Sequence, residues 1–466
     1  MVSAKAGLSH VCVLLSNAGY SGVKCFGNNG NGQLGLGDTA NRGDDPLEMG
    51  DALPYLNFGV LGSSGLQATA TVLAAGIGSH SCIGLDGRIK CWGLNSKGQL
   101  GRGDTNDFGD EPNEMGTNLP YVSMNYLGTS SATDFLLAVG GYHTCATVQT
   151  TATTRSIKCW GYNGYGQLGL GDRWDRGDDP NEMGGALATV SLGANEYVSA
   201  LVAGGLHMCV LTNSRVKCWG GNMDGQLGLG HSDNIGDDPG EMGDDLPAVD
   251  LGTGRTAVAL AAGDRHTCAI LDDGGIKCWG NNGDYQLGLG DSKSRGSTST
   301  NMGDALPYVN LGQGLTATSI AAGAAHTCAV LDNGALKCWG GNTYGQLGLG
   351  DTKSRGGSAA DMGDALPNVD LGTGQQAKTV TAGLHSTCAV TASSNLKCFG
   401  RGGSLGLGDK FNRGDAANGM GNSLSFASLV GSLSGSDDGE IRLLDGSSPS
   451  SGRVEISYGG TWGSVW

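Results

Sequence analysis

The residues with the greatest chemical capacity in this chain recur at fixed spacing. Fourteen cysteines form seven couples: Cys12 and Cys25, Cys82 and Cys91, Cys145 and Cys159, Cys209 and Cys218, Cys268 and Cys278, Cys328 and Cys338, Cys388 and Cys398. Each couple supplies two sulfurs, short of the four of a structural zinc site, so no metal is expected there and disulfide pairing is the chemistry on offer. Seven of the eight histidines hold one position relative to these cysteines: His10, His80, His143, His207, His266, His326, and His385, which lies one residue further from its cysteine. A ring of imidazoles could hold a metal or an anion, but the expectation is that each hydrogen-bonds a backbone group within its own repeat.

Carboxylates form the third recurring set. Asp44, Asp45 and Glu48, then Asp110, Glu111 and Glu114, then Asp178, Asp179 and Glu182, then Asp237, Asp238 and Glu241 place three acids within five residues. Oxygen ligands this dense can bind calcium. Against calcium, no D-x-D-x-D-G loop with a closing Glu is present, and the later copies replace the acids with Ser, Thr, Gly or Ala. Solvated loops forming an acidic surface for a partner are therefore expected, with no cofactor. There is no GxSxG, HExxH or P-loop, and no acid pair stands out from the repeats, so the chain does not read as an enzyme.

These residues must be positioned by a repeated element. The string GQLGLGD and its variants begin at Gly32, Gly98, Gly166, Gly225, Tyr285, Gly345 and Gly403, at intervals of 58 to 68 residues. Within each unit, two short β-prone runs flank a turn, as in Cys328 to Leu331 and Ala335 to Trp339 around Asp332-Asn333-Gly334. Counting inward from Cys82 and Cys91 leaves Asp86-Gly87 as a two-residue type I′ turn and sets the sulfurs opposite each other. The same count from Cys209 and Cys218 ends on Asn213-Ser214, and from Cys268 and Cys278 on Asp272-Asp273-Gly274. Directly opposed antiparallel residues lie within disulfide reach. The competing reading is a set of reduced core cysteines, but turn-matched opposition in unit after unit favours disulfides, and with them an oxidising compartment.

Composition agrees. Of 466 residues 87 are glycine, far too many for a mainly helical protein, while 38% are hydrophobic and only 15% charged, which excludes disorder. There are 28 Lys and Arg against 44 Asp and Glu, a net charge of −16, which argues against a nucleic-acid partner. Apolar runs are too short to insert in a membrane. Seven hairpin units predict an all-β chain of radially stacked sheets, a seven-bladed propeller with one disulfide per blade. Its ends, near Val2 and Val430, should meet at one seam. Trp92, Trp160, Trp219, Trp279 and Trp339, with Phe26 and Phe399, read as wedges between blades. The lysines before each second cysteine, Lys24 to Lys397, read as solvated stems.

The succession GxxHT, strand, DG-type turn, strand ending in WG, then N-x-x-GQLGLGD resembles the repeat of the regulator of chromosome condensation family, seven-bladed β-propellers, and runs from residue 1 to about 432. The cysteine pairs and the acidic RGDDPxEMGDxLP loops are closer to secreted and surface members than to the nuclear one. After a linker at 433–439, residues 440–466 (EIRLLDGSSPSSGRVEISYGGTWGSVW) resemble the opening strands of a scavenger receptor cysteine-rich domain, with Trp466 where that family has its first cysteine. The resemblance implies a fragment of that domain within a longer extracellular or cell-surface polypeptide. The expected function is a non-catalytic structural or adhesive propeller that binds other proteins of an extracellular assembly. The alternatives are a propeller regulating a soluble protein, as an enzyme inhibitor or an exchange factor for a small GTPase, and an intracellular scaffold with free thiols. The partner, the binding face, the oligomeric or filament state and the flanking sequence are not legible in these residues.

Overall fold

The computed structural model describes residues 3–17, 20–61, 66–67, 70–124, 136–149, 155–429, 441–448, 451–458 and 461–464. Its organising unit is a three-stranded antiparallel sheet, repeated seven times. In the fifth blade the inner strand Ala257–Ala262 pairs with the middle strand His266–Leu271, which pairs with the outer strand Ile276–Gly280. The outer two are the hairpin legible in the sequence, and the turns have the expected backbone: Asp86 and Gly87 both take positive φ, 49° and 77°, and Asn213 and Ser214 take 48° and 64°. The inner strand is additional. Its sequence, AVALAA in the fifth blade, lacks a clean alternation because it meets neighbouring blades on both faces near the axis.

The apolar core is not inside the sheets but between them. Seven buried clusters each draw on two adjacent blades, so each sheet is buried only by its neighbours. Trp92, Trp160, Trp219, Trp279, Trp339, Phe26 and Phe399 are fully buried in these interfaces, as wedges should be. The cluster that holds Phe26 also holds Val390, Leu396 and Cys398, so the last blade packs on the first and the ring is closed. Seven equivalent backbone bonds follow the same circuit. Gly37 N–H donates to the Gly109 carbonyl, Gly103 to Gly177, Gly171 to Gly236, Gly230 to Gly296, Gly290 to Gly356 and Gly350 to Gly414, and Gly408 returns to Gly43 across the seam at 2.9 Å. The chain is a seven-bladed β-propeller with one disulfide per blade.

Closure uses no exchanged strand: the first blade is built entirely from Ser3–Ala6, His10–Asn17 and Tyr20–Gly27. Val2, Val430 and the linker at 433–439 lie outside the described residues. Beyond them Ile441–Ser448, Ser451–Tyr458 and Thr461–Ser464 form a separate three-stranded antiparallel meander.

Candidate functional site

The cysteines stand where the register count set them. Cys82 is paired directly with Cys91, Cys209 with Cys218 and Cys268 with Cys278 across the middle and outer strands. All seven couples are disulfides with Cα atoms 4.1–4.2 Å apart, and no cysteine is free. Every sulfur is buried in an interface: Cys268 and Cys278 pack with Trp339 of the next blade. Each bond therefore clamps a hairpin and also walls the contact with its neighbour.

The histidines do something the sequence reading missed. The expectation of a backbone partner within the same blade is corrected: six of the seven rings, all but His385, reach the next blade. His266 Nε2 lies 2.9 Å from Thr327 Oγ1, and Thr327 donates its hydroxyl hydrogen to the Gln286 carbonyl at 2.9 Å. Thr327 has spent its only hydrogen, so His266 must donate from Nε2. Trp339 Nε1 donates to the same Gln286 carbonyl at 3.0 Å. The sixth blade thus grips the fifth through one histidine, one threonine, one tryptophan and one carbonyl. The relay recurs from His207 through Thr267 to Gln226, from His326 through Thr387 to Gln346, and from His80 through Thr144 to Gln99. His10 contacts Ser81 at 2.7 Å, and His143 meets the Met208 sulfur at 3.1 Å.

The six rings point between blades. In all six, Nδ1 is buried with no partner, as expected for a neutral imidazole carrying its hydrogen on Nε2. Burial pushes His80, His143, His266 and His326 down to about 3 and His10 and His207 to about 4, with like-charge repulsion from adjacent histidines adding at His80, His143, His266 and His326. The GxxH spacing follows from packing: a Cβ on Gly263 would sit 2.2 Å from His266 Cε1. At the seam the relay is absent on both sides. Ser386 replaces the histidine and Val11 the threonine, while His385, one residue early, stacks on Tyr344 with ring centroids 4.8 Å apart.

The lysines also depart from expectation. Lys24, Lys90, Lys158, Lys217, Lys277, Lys337 and Lys397 are buried, not solvated. Lys277 Nζ donates to the Leu251 and Gly303 carbonyls at 2.9 and 2.8 Å and lies 5.0 Å from the Tyr308 ring centre. Lys337 is held likewise by Leu311 and Gly363, and Lys90 by Phe58 and Gly116. Carbonyls can satisfy a buried ammonium without a carboxylate, and the arrangement ties two loops to each hairpin. Burial pushes Lys90 down to about 8, with Arg88 adding repulsion.

The acidic loops are latches. Glu48 Oε2 accepts the N–H groups of Gly43 and Asp45, Glu114 those of Gly109, Asp110 and Glu111, Glu182 those of Gly177 and Asp179, and Glu241 those of Gly236, Asp237 and Asp238. Where the acids disappear, Asn301 and Asp361 take over, accepting from Gly296 and Ser358. The structure brings one oxygen of each of Asp44, Asp45 and Glu48 within 4.8 Å of the others. The Lys410 ammonium of the last blade stands 3.6 Å from Asp44 and 3.3 Å from Asp45, so a protein cation already faces this group. Two residue sets stood in the sequence motifs, as the M of RGDDPxEMGDxLP and the N of N-x-x-GQLGLGD, without being given a role. The methionine of each loop, such as Met302, packs over a glycine of the preceding blade, here Gly228. The asparagine after the outer strand in the first six blades, such as Asn282, accepts from Leu287 N–H and donates to the Asp291 carbonyl, shaping the GQLGLGD turn. The methionine recurs in every unit and the asparagine in all but the last, where Gly402 stands, and that periodicity was the available signal.

Among the described residues no helix is long and apolar enough to cross a membrane. Trp174, Phe411 and Met223 are the conspicuous exposed apolar side chains on the loops.

Residues 214–270 and 273–330 match the model of the regulator of chromosome condensation (RCC1) repeat, and 257–286 and 317–346 match a second model of the same description. It is 28% identical over 396 residues to the ultraviolet-B receptor UVR8 of Arabidopsis thaliana, covering 73% of this chain and 80% of the relative. It is 30% identical over 243 residues to the human probable E3 ubiquitin-protein ligase HERC4, covering half of this chain but only 20% of that protein. The solved structure of yeast RCC1 (Prp20) bound to Kap60 superposes with a TM-score of 0.57 at 20% identity, over 87% of this chain and 82% of the other. At that identity the likeness is one of fold.

Proposed function

We propose that this chain is a non-catalytic, protein-binding propeller that works outside the cell, as a structural or adhesive unit of a surface, matrix or filament protein. One observation carries the reading: all fourteen cysteines are spent in disulfides, one to a blade. Structural disulfides in this number persist in oxidising compartments and are rare where thiols are kept reduced. The resemblance of residues 440–466 to a scavenger receptor cysteine-rich domain supports the same setting. Protein binding is supported by the repeat family and by exposed Trp174 and Met223, side-chain types that anchor protein interfaces. Acidic loops in the first four blades favour a partner with a basic face.

The test is antibody labelling of intact cells that make the native polypeptide. Signal without permeabilisation is the expected result. Signal only after permeabilisation would turn attention to the second reading, a propeller that regulates a soluble protein as an inhibitor or as an exchange factor. That reading draws on the relation to yeast Prp20, and release of labelled GDP from a small GTPase, faster with the chain than without it, would favour it.

A further inference from the structure

Seven inner strands surround the propeller axis, and each is paired on one side only, so the other edge of its backbone faces the channel they enclose. The channel has a volume of about 370 Å³ and is lined by residues from all seven blades. Among the described lining residues one is charged, Lys5. Its place in the repeat is defined by register: Lys5 lies opposite Cys12, and the residues opposite the equivalent cysteines are Ala74, Ala138, Val202, Ala261, Ala321 and Thr381. Six blades carry a small uncharged side chain here and one carries an ammonium.

That ammonium has no compensating group among the described residues. No carboxylate forms an ion pair with it and no carbonyl accepts from it, in contrast to the carbonyl-cradled lysines of the hairpins. The Lys5 side chain is exposed to the open space of the channel, and the protein around that space pushes the ammonium below the ordinary lysine range with no neighbouring charge acting in the other direction. An unpaired cation flanked on all sides by the seven inner strands gains more from a bound anion than one on an open surface, because the surrounding protein lowers the local dielectric and strengthens the pairing.

We propose that the axial channel is an anion site, taking one carboxylate at Lys5 Nζ. The inference is independent of where the protein works and of any partner bound on its outer loops. The carboxylate can come from a small organic acid or from an acidic side chain that a partner inserts along the axis.

The intact, oxidised chain with 13C-labelled lysine ε-carbons would be titrated with acetate, and separately with a short peptide ending in aspartate, while the Lys5 signal is followed by NMR. Lys5→Ala assigns the signal and is compatible with the fold, since four other blades have alanine there. The expected result is a saturable shift of the Lys5 signal, and an upward move of its pKa, at acetate concentrations that leave exposed lysines such as Lys293 unmoved. Thermal stabilisation by acetate should accompany it and vanish in Lys5→Ala. A response to acetate alone points to a small acid, and a response to the peptide as well points to a partner's side chain. If Lys5 responds to neither probe sooner than the exposed lysines do, the proposal is overturned.

Discussion

At the scale of the residue, the histidine relay makes two predictions. Thr327→Val removes both the hydroxyl that His266 donates to and a donor to the Gln286 carbonyl, leaving a buried N–H unpaired. The expected loss is about 1–3 kcal/mol of unfolding free energy, read from denaturant midpoints of the oxidised protein, and it should shrink when His266 is replaced as well. The natural Val11 at the seam shows that valine fits the position sterically. The second prediction concerns pH. Unfolded histidines titrate near 6.5, whereas His80, His143, His266 and His326 are held at about 3 when folded. Between those values the unfolded chain binds more protons, so stability is full above about pH 6.5 and falls as the pH is lowered toward the folded values. The window from about pH 6.5 to 5 lies above ordinary carboxylates, and a falling melting temperature within it is the signature expected. A flat profile there would mean that the rings are not buried neutral.

Much of this was out of reach from sequence because partners lie about sixty positions apart. The seven histidines were visible as a set, but a hydrogen bond from His266 to Thr327 joins two copies of the repeat, and reading one unit at a time points inward to a backbone partner. The lysines failed for a related reason. The carbonyls that bury them, such as those of Leu251 and Gly303 around Lys277, come from loops on either side of the hairpin.

At the scale of the element, the hairpin was the most legible part. Turn length, glycine position and cysteine opposition are local quantities, and Asp86-Gly87 and Asn213-Ser214 hold the φ values that such turns require. The inner strand was harder to read because it is short and Ala-rich, and its burial does not alternate along the strand. The disulfide is expected to matter to each hairpin in proportion to the loop it closes. Replacing Cys268 and Cys278 together by alanine should lower the unfolding free energy by about 2–3 kcal/mol in the chain-entropy account, with the propeller still formed. Circular dichroism during denaturation would show this as an earlier midpoint with an unchanged native baseline. The loop latch offers a parallel case: Glu241→Ala leaves the Gly236, Asp237 and Asp238 N–H groups without their carboxylate, and loosening of that loop should appear as faster amide exchange there.

At the scale of the whole molecule, the ring is held by seven interfaces: a histidine bridges six of them, through the threonine relay in four, and the seventh has no such bridge. Between the last and first blades the relay is missing on both sides, with Ser386 facing Val11. The seam is held instead by the Ala6 N–H to Thr381 Oγ1 bond, the Gly408 to Gly43 latch and the exposed Lys410 contacts. Opening should begin there, and hydrogen exchange should find the least protected strand amides at Ser3–Ala6. Val11→Thr combined with Ser386→His should restore protection toward that of the other interfaces.

The central claim is that every blade is closed by its own disulfide, for the oxidising compartment, the clamped hairpins and the proposed extracellular role all follow from it. The direct measurement is the intact mass of the native chain after alkylation under denaturing conditions, with and without prior reduction, followed by peptide mapping. The account predicts no alkylation before reduction, fourteen modified cysteines after it, and linked peptides that join only the two cysteines of a single unit. Fourteen thiols alkylated without reduction, or linkages that cross between units, would contradict it.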